Sequence, residues 1–382
     1  MTYFGGFLAA TALALAAYGA DTGAADFNGK YRPSALTGAE EAYLETLFPS
    51  SHAANLLLLK NGDLLCTWFS GTWEGNSDVA ILLARLPKGS SQWGKPMVVD
   101  HHEGESYQNP VLFEAADGVL WLFHSTQGAG AGESHAKTLV TKSQDKGVHW
   151  NPPEVLFGEA GAFTREPLVV MPNGDWMLPL YTSSNNTSMM KISADHGAQW
   201  KNCPVPESAG YIQPDVVRSG NQYVAFFRSR AADFIYRATS ADGCAWTAPQ
   251  KTELPNNNAS IQLARLANGH LVLVFDNSGP VSVAGVKRAG PRKPLSIALS
   301  KDDGATWGWV RDLETGEAPQ AGTDPNRKEP GREEYSYPTV TQGTDGKINV
   351  AYTYQRKTIK AMRFDEKWIE AGKTVGTFRP KQ

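Results

Sequence analysis

The chain has 382 residues, 41% of them hydrophobic, enough for a sizeable core, and its net charge of −3 comes with no long run of one sign. That balance excludes a nucleic-acid surface, and any preference for an acidic partner must come from a local cluster of Arg or Lys. The 37 Gly, 23 Pro and 11 Trp suit short strands and many turns, and three cysteines permit one disulfide at most, which excludes a disulfide scaffold.

The chain starts "MTYFGGFLAATALALAAYGADTG", with an apolar run over residues 7–17 and small residues around Ala17-Tyr18-Gly19. This reads as a secretory signal over residues 1–20, too short for a bilayer span although it lacks a positive leading region. A secreted, extracellular protein is expected, with no membrane span and one domain over 26–382. Asn185, Asn186 and Asn258 each head an Asn-x-Ser/Thr sequon.

From there a two-part unit repeats. Short β-rich runs break at Asn61-Gly62-Asp63, Asp117-Gly118, Asn173-Gly174-Asp175, Ser219-Gly220, Asn268-Gly269 and Asp345-Gly346. Asn-Gly and Asp-Gly between apolar runs signal a hairpin whose two central residues both take positive φ. Each turn is followed by a Trp: Trp93, Trp150, Trp200, Trp246, Trp307 and Trp368. Four of these close a Ser-x-Asp-x-Gly-x-x-Trp box, "SQDKGVHW", "SADHGAQW", the one-shorter "SADGCAW" and "SKDDGATW", while "GSSQW" and "FDEKW" are degenerate. The Asp bonds backbone N–H groups of its turn, the Gly is left-handed and the Trp packs between sheets, so the box is scaffold. Two hairpins per unit, six times over, predict an all-β, six-bladed β-propeller with four-stranded antiparallel blades. Residues 26–48 are expected to complete or cover the last blade, and the long unpatterned loop at 315–334 falls inside a repeat.

The boxes, together with "SSHAANLLLLKNGDLLCTWFSGTWEGNSDVAI", "YQNPVLFEAADGVLWLFHS", "REPLVVMPNGDWMLPLY", "IQPDVVRSGNQYVAFFRSR" and "EEYSYPTVTQGTDGKINVAYTYQRKTIK", resemble the sialidase (neuraminidase) superfamily of BNR/Asp-box propellers. The resemblance covers essentially everything after the signal. It implies a site at one end of the central axis, an arginine triad gripping a substrate carboxylate, a Tyr nucleophile activated by Glu, and an Asp acid/base.

The ends of the first hairpins opposite their Gly turns supply the candidates. Tyr335 or Tyr337 matches the late Tyr segment and needs a base, because a phenol is a poor nucleophile at its ordinary pKa; Glu166 is the candidate. Asp78, with Glu74 beside it, matches the acid/base region. Arg165, Arg228, Arg230 and Arg356 are the carboxylate ligands, and Tyr107, Asn109, His124, Trp73, Gln213 and Asp215 complete the substrate-binding set. The Tyr-Arg-Ile-Pro that opens the first sialidase blade is replaced by "SSHAANLL", so His52 stands in the slot of the first arginine and is a candidate catalytic base.

Three functions stay open. One is a sialidase-like exo-glycosidase hydrolysing terminal acidic sugars. The second is a propeller lyase of the ulvan or rhamnose–glucuronate type, with His and Tyr moving protons. The third is a non-catalytic glycan-binding propeller. With no His-Glu-x-x-His, clustered cysteines or calcium loop, no metal or cofactor is expected. The expected partner is a glycan, and the expected state a monomer.

Overall fold

The computed structural model describes residues 26–283, 285–316 and 333–380. The proposed signal, and most of the 315–334 loop, lie outside the described residues. Six antiparallel sheets follow in chain order, each wound from innermost to outermost strand. The innermost strands of blades one, two, four, five and six are Ser50–Leu58, Glu105–Glu114, Tyr211–Ser219, Gln262–Arg265 and Tyr335–Gln342. In blade three the innermost position is divided into Ala162–Phe163 and Val169–Val170, both paired with Trp176–Thr182. Blade six takes its two outer strands from the other end of the chain: Glu40–Tyr43 pairs with Thr358–Phe364 and the short Arg32–Pro33 pairs outside it as a fifth strand, closing the ring with residues expected to complete the last blade.

The hairpin turns form where expected but by different geometry. Only the glycine of each is left-handed, Gly62 at φ 90° for instance, while Asn61 is not. The Asn or Asp instead folds its side chain forward, Asn61 Oδ1 accepting from the Asp63 N–H at 3.0 Å, with the same bond at Asp117, Asn173, Asn268 and Asp345. Asx turns with one left-handed residue replace the two-residue turn with two.

The boxes are scaffold. In the fifth blade Ser300 Oγ donates to Asp302 Oδ1 at 2.7 Å and receives the Gly304 N–H at 2.8 Å, while Asp302 Oδ1 also takes the Thr306 N–H at 2.8 Å. Gly304 lies against Phe226 of the preceding blade, where a Cβ would come within 3.0 Å of the ring, and Trp307 meets the same ring edge-on at 5.9 Å. Each box thus clips its blade to the one before. The last unit departs from this: Trp368 lies on a short helix, Glu366–Glu370, stacks on Phe364 at 4.3 Å and donates to the Thr37 carbonyl. Cys203 of blade three is disulfide-bonded to Cys244 in the box of blade four, and Cys66 is free and buried.

The core is radial, one apolar layer between each pair of neighbouring blades. Around the axis the innermost strands are cross-linked by buried side chains accepting a backbone N–H from the next blade. Asn55 takes that of Leu112, Asp215 that of Leu263, Gln262 that of Val340 and Thr339 that of Leu56.

Candidate active site

Four innermost strands carry the same irregularity. The pairing slips between His52 and Asn55, Gln108 and Val111, Ile212 and Asp215, and Ser336 and Thr339. In each slip one residue is left-handed: Ala53, Asn109, Gln213 and Tyr337, at φ between 50° and 59°. A bulge re-aims the side chain that it carries, and a strained non-glycine φ persists only where the surroundings hold it. Three of the four bulge residues precede proline, in Asn109-Pro110, Gln213-Pro214 and Tyr337-Pro338, so the sequence marks the device.

Tyr337 is the centre of what the bulges gather. Arg228 donates through Nη1 to its hydroxyl at 2.6 Å and to Gln213 Oε1 at 3.2 Å, and through Nε to Asn258 Oδ1 at 2.9 Å. The guanidinium groups of Arg165, Arg228 and Arg292 lie 5.4, 5.6 and 5.3 Å from the Tyr337 ring centroid. Burial alone would raise this phenol, but Arg228 and Arg292 outweigh burial and the opposing Glu74 and Glu133, and its pKa falls below the ordinary value. All of Arg228's partners are uncharged. The other mouth arginines are paired: Glu334 Oε1 accepts from Arg292 at 2.6 Å, from Arg356 at 3.2 Å and from Ser336 at 2.6 Å. Arg356 also reaches Glu74 at 2.8 Å and lies 5.3 Å from the Trp73 ring. Burial works against an ionised Glu334, yet Arg292 and Arg356, with the Ser336 hydroxyl, hold its pKa well below the usual carboxylate range. Arg230 sits at the rim on Glu133 and Asn186. Two sequon residues, Asn186 and Asn258, therefore serve these arginines.

His52 packs its ring 4.1 Å from that of Tyr337 and is 1% exposed. Its Nδ1 lies 2.8 Å from Thr353 Oγ1 and its Nε2 has no partner. Burial, with Arg356 next in weight, holds its pKa well below that of a free histidine, so the ring is neutral. A neutral imidazole is no substitute for the carboxylate-gripping arginine.

Several candidates are placed elsewhere. Arg165 is fully buried under the mouth and donates to Ser260 Oγ, the Ala54 carbonyl and the Pro338 carbonyl at 3.1, 3.2 and 2.9 Å. It ties blade three to blades one, five and six and is 1% exposed. Glu166 accepts from Ser260 at 3.1 Å and Gln262 at 3.1 Å, so the expected base is not on either tyrosine hydroxyl. Burial lifts its pKa to about 7 despite Arg165. Asp215 belongs to the axial cross-links, and burial with Glu166 beside it raises its carboxyl well above the usual range. Tyr335 points into the layer between blades five and six, takes a bond from Gln355 at 3.4 Å and is pushed up by burial to about 12; Tyr337 is the tyrosine of the mouth. Asp78 caps its own loop, accepting from Thr72 N at 2.9 Å and Thr72 Oγ1 at 3.0 Å, and Glu74 is the carboxylate of that loop that reaches the mouth. Tyr107 and His124 lie in the wedge between blades one and two, rings 5.4 Å apart, with His124 Nε2 3.2 Å from Asp100 Oδ2. Burial drives His124 down to about 3 and Asp100 up to about 6, so the two meet as neutral groups at mildly acidic pH, not as an ion pair.

Arg292, Glu334 and Glu133 are absent from the sequence-based set. Arg292 follows an inserted hairpin, Val281–Val283 with Val286–Arg288, so it escapes a rule built on first hairpins. Glu334 stands one residue before the last innermost strand; the acidic pair ahead of "YSYP" was its signal. Among the described residues, no group of three or more His, Cys, Asp or Glu could hold a metal ion, and no helix is long and apolar enough to cross a membrane. A surface groove lined by Gly62, Lys88, Asp345 and Arg363 lies at the turn end, away from the mouth.

Residues 62–350 match the family model described as the BNR repeat-like domain. The chain belongs to that family. It is a sialidase-like BNR β-propeller, and solved structures agree on the fold at low identity. The intramolecular trans-sialidase from Ruminococcus gnavus, in complex with oseltamivir carboxylate, superposes with a TM-score of 0.67 at 14% identity, over 84% of this chain and 95% of that one. A Hadza microbial sialidase matches with a TM-score of 0.66 at 15% identity, over 84% of this chain and 66% of that one, so this BNR chain spans about two thirds of that relative. A protein of unknown function from Dyadobacter fermentans matches over 85% of this chain and 98% of that one, with a TM-score of 0.66 at 17% identity. No curated protein sequence matches the chain.

Proposed function

We propose that this BNR propeller is a secreted glycan-active enzyme, a sialidase-like exo-glycosidase that hydrolyses terminal acidic sugars. The observation that carries this reading is the Tyr337 hydroxyl held at 2.6 Å by Arg228 and depressed by Arg228 and Arg292. Where a Glu beside the tyrosine was expected, two cations favour the phenolate. The sugar carboxylate is received by Arg228, whose present partners are all neutral, and by the outer edge of Arg292. The Tyr337 oxygen then attacks the anomeric carbon, the glycosidic C–O bond breaks, and the leaving oxygen takes a proton from water at the open mouth. Water attacks the same carbon in the second half, with its proton passing to a neutral base such as His52 or to solvent, and the phenolate is released. Secretion fits the Cys203–Cys244 disulfide, a bond that persists in oxidising compartments.

His52 favours a second reading. A neutral imidazole with a free Nε2 beside a phenolate suits β-elimination from a uronate, with Tyr337 or His52 removing the proton α to a carboxylate held by Arg228. The C–O bond to the leaving sugar breaks, its oxygen is protonated, and a carbon–carbon double bond remains. Pure protein incubated with a fluorogenic sialoside and, separately, with uronate polysaccharides followed in the ultraviolet tests both. Fluorophore release supports the hydrolase, rising absorbance the lyase, and binding without either product supports the non-catalytic glycan-binding alternative.

A further inference from the structure

Asp276 ends the second strand of blade five (Leu271–Asp276), where it pairs across to Leu295 at the start of the third. It is 1% exposed, and neither carboxyl oxygen has a hydrogen-bond partner. An ionised carboxylate in such a place is costly, because nothing replaces the water that it has lost. Around it stand Arg292, which leads into the third strand, Glu334 ahead of blade six, and Arg228 from blade four. Asn257 lies beside it; its amide nitrogen, which donates to the Pro291 carbonyl at 2.7 Å, favours the ionised form, while its Oδ1 is buried and also without a partner. Two neighbouring orphans, both acceptors, become a matched pair once one carries a proton.

We propose that Asp276 is a neutral carboxylic acid that donates to Asn257 and positions Arg292, leaving this guanidinium with a single carboxylate partner and one edge free for the acidic group of a substrate. Burial raises its pKa well above the usual carboxyl range against the pull of Arg292, the Asn257 amide and Arg228, and Glu334 adds to the rise, in keeping with this state. Arg292 is shared with Glu334 at 2.6 Å and with no second anion while Asp276 holds its proton. Ionised, Asp276 would compete for the same cation, and the mouth would lose attraction for an anion. Asp276 is therefore a positioning residue that limits acidic-sugar affinity on the alkaline side. The proposal rests on the acidic-sugar reading for its ligand, not for the state of the acid.

The test compares the wild-type chain with Asp276→Asn, of the same shape and permanently neutral, and with Asp276→Ala as a packing control. Difference infrared spectra between wild type and Asp276→Asn at pH 6 are expected to contain a protonated-carboxyl stretch; a carboxylate band in its place overturns the proposal. Titration with N-acetylneuraminic acid and with glucuronic acid, raised in pH until the protonated-carboxyl band of the wild type disappears, is expected to show wild-type affinity falling about tenfold as that band is lost, with the Asn variant flat. Superimposable affinity profiles across the pH at which the band is lost overturn it. If neither sugar binds either protein, the acidic-sugar reading falls, while the infrared band still decides the state of Asp276.

Discussion

The floor of the axis and the mouth above it are built from the same residue types and treat them in opposite ways. In the floor, Arg165 commits its donors to two carbonyls and a hydroxyl, Glu166 takes two donors, and Asp215 and Gln262 each receive a backbone N–H. In the mouth, Arg228 touches only neutral groups, His52 keeps a bare Nε2 and Tyr337 is held in a left-handed bulge. Both arginines bond only neutral protein groups, so charge pairing alone does not separate the regions. What does is that Arg165 in the floor fills its valences mainly with backbone, while Arg228 is spent on a reactive hydroxyl beside a histidine with an unfilled valence.

The largest effect that would break this division is at Tyr337. Tyr337→Phe keeps the ring against His52 and removes only the hydroxyl, so turnover of the glycan substrate should fall about 10³-fold with the melting temperature unchanged. Full activity in this variant would remove the mouth's claim to the chemistry. Arg165→Met should do the reverse. It deletes three bonds that join blade three to blades one, five and six and strips Glu166 and Asp215 of their cation, for a loss of about 3–5 kcal/mol in denaturant unfolding. Loss of substrate binding in a variant that remains as stable as wild type would return Arg165 to the carboxylate clamp.

The fold was legible because its signals are local and repeated: Asx-Gly turns, boxes and aliphatic strand centres each act within ten residues. The site was legible only in part, because depth along the axis is not periodic in sequence. In "YSYP" the residues Tyr335 and Tyr337 look equivalent, yet the bulge sends one to the mouth while the other packs in the layer between blades five and six. Arg165 and Arg228 likewise both sit at strand ends, yet the fold encloses only the first, with Ala54, Pro338 and Ser260, residues far from it in the chain. Arg292 and Glu334 lie just outside the hairpins that the repeat defines, one behind an inserted hairpin and one at the edge of a long loop.

A pH series on Glu166→Gln sharpens the floor. Folding lifts the Glu166 pKa to about 7, from an unfolded value of about 4.3. The folded chain therefore holds this proton more tightly, and the contribution to stability is full below the unfolded value and lost as pH rises toward 7. Gln does not titrate. The stability of the variant relative to wild type should rise across that window, by on the order of 3 kcal/mol, and level off above it. The slope is the readout, since Gln also turns one donor toward the Gln262 amide and so shifts every point by a constant. A flat difference would mean that Glu166 is ionised at its place in the floor.

The smallest effect belongs to the boxes, the most conspicuous pattern in the sequence. Asp302 accepts from Ser300, from the Thr306 N–H and from the Thr306 hydroxyl, all inside one turn on the rim between blades four and five. Those bonds hold the left-handed Gly304 against Phe226 and bring Trp307 onto the same ring. Asp302→Ala removes them from a site that water reaches, so each lost bond is largely replaced by solvent and the cost should be about 1 kcal/mol. With the mouth formed by other strand ends, KM and kcat should match wild type while the unfolding midpoint drops slightly. A box substitution that cut turnover without touching stability would mean that the repeat reaches the chemistry after all, and the separation of scaffold from site around this axis would have to be redrawn.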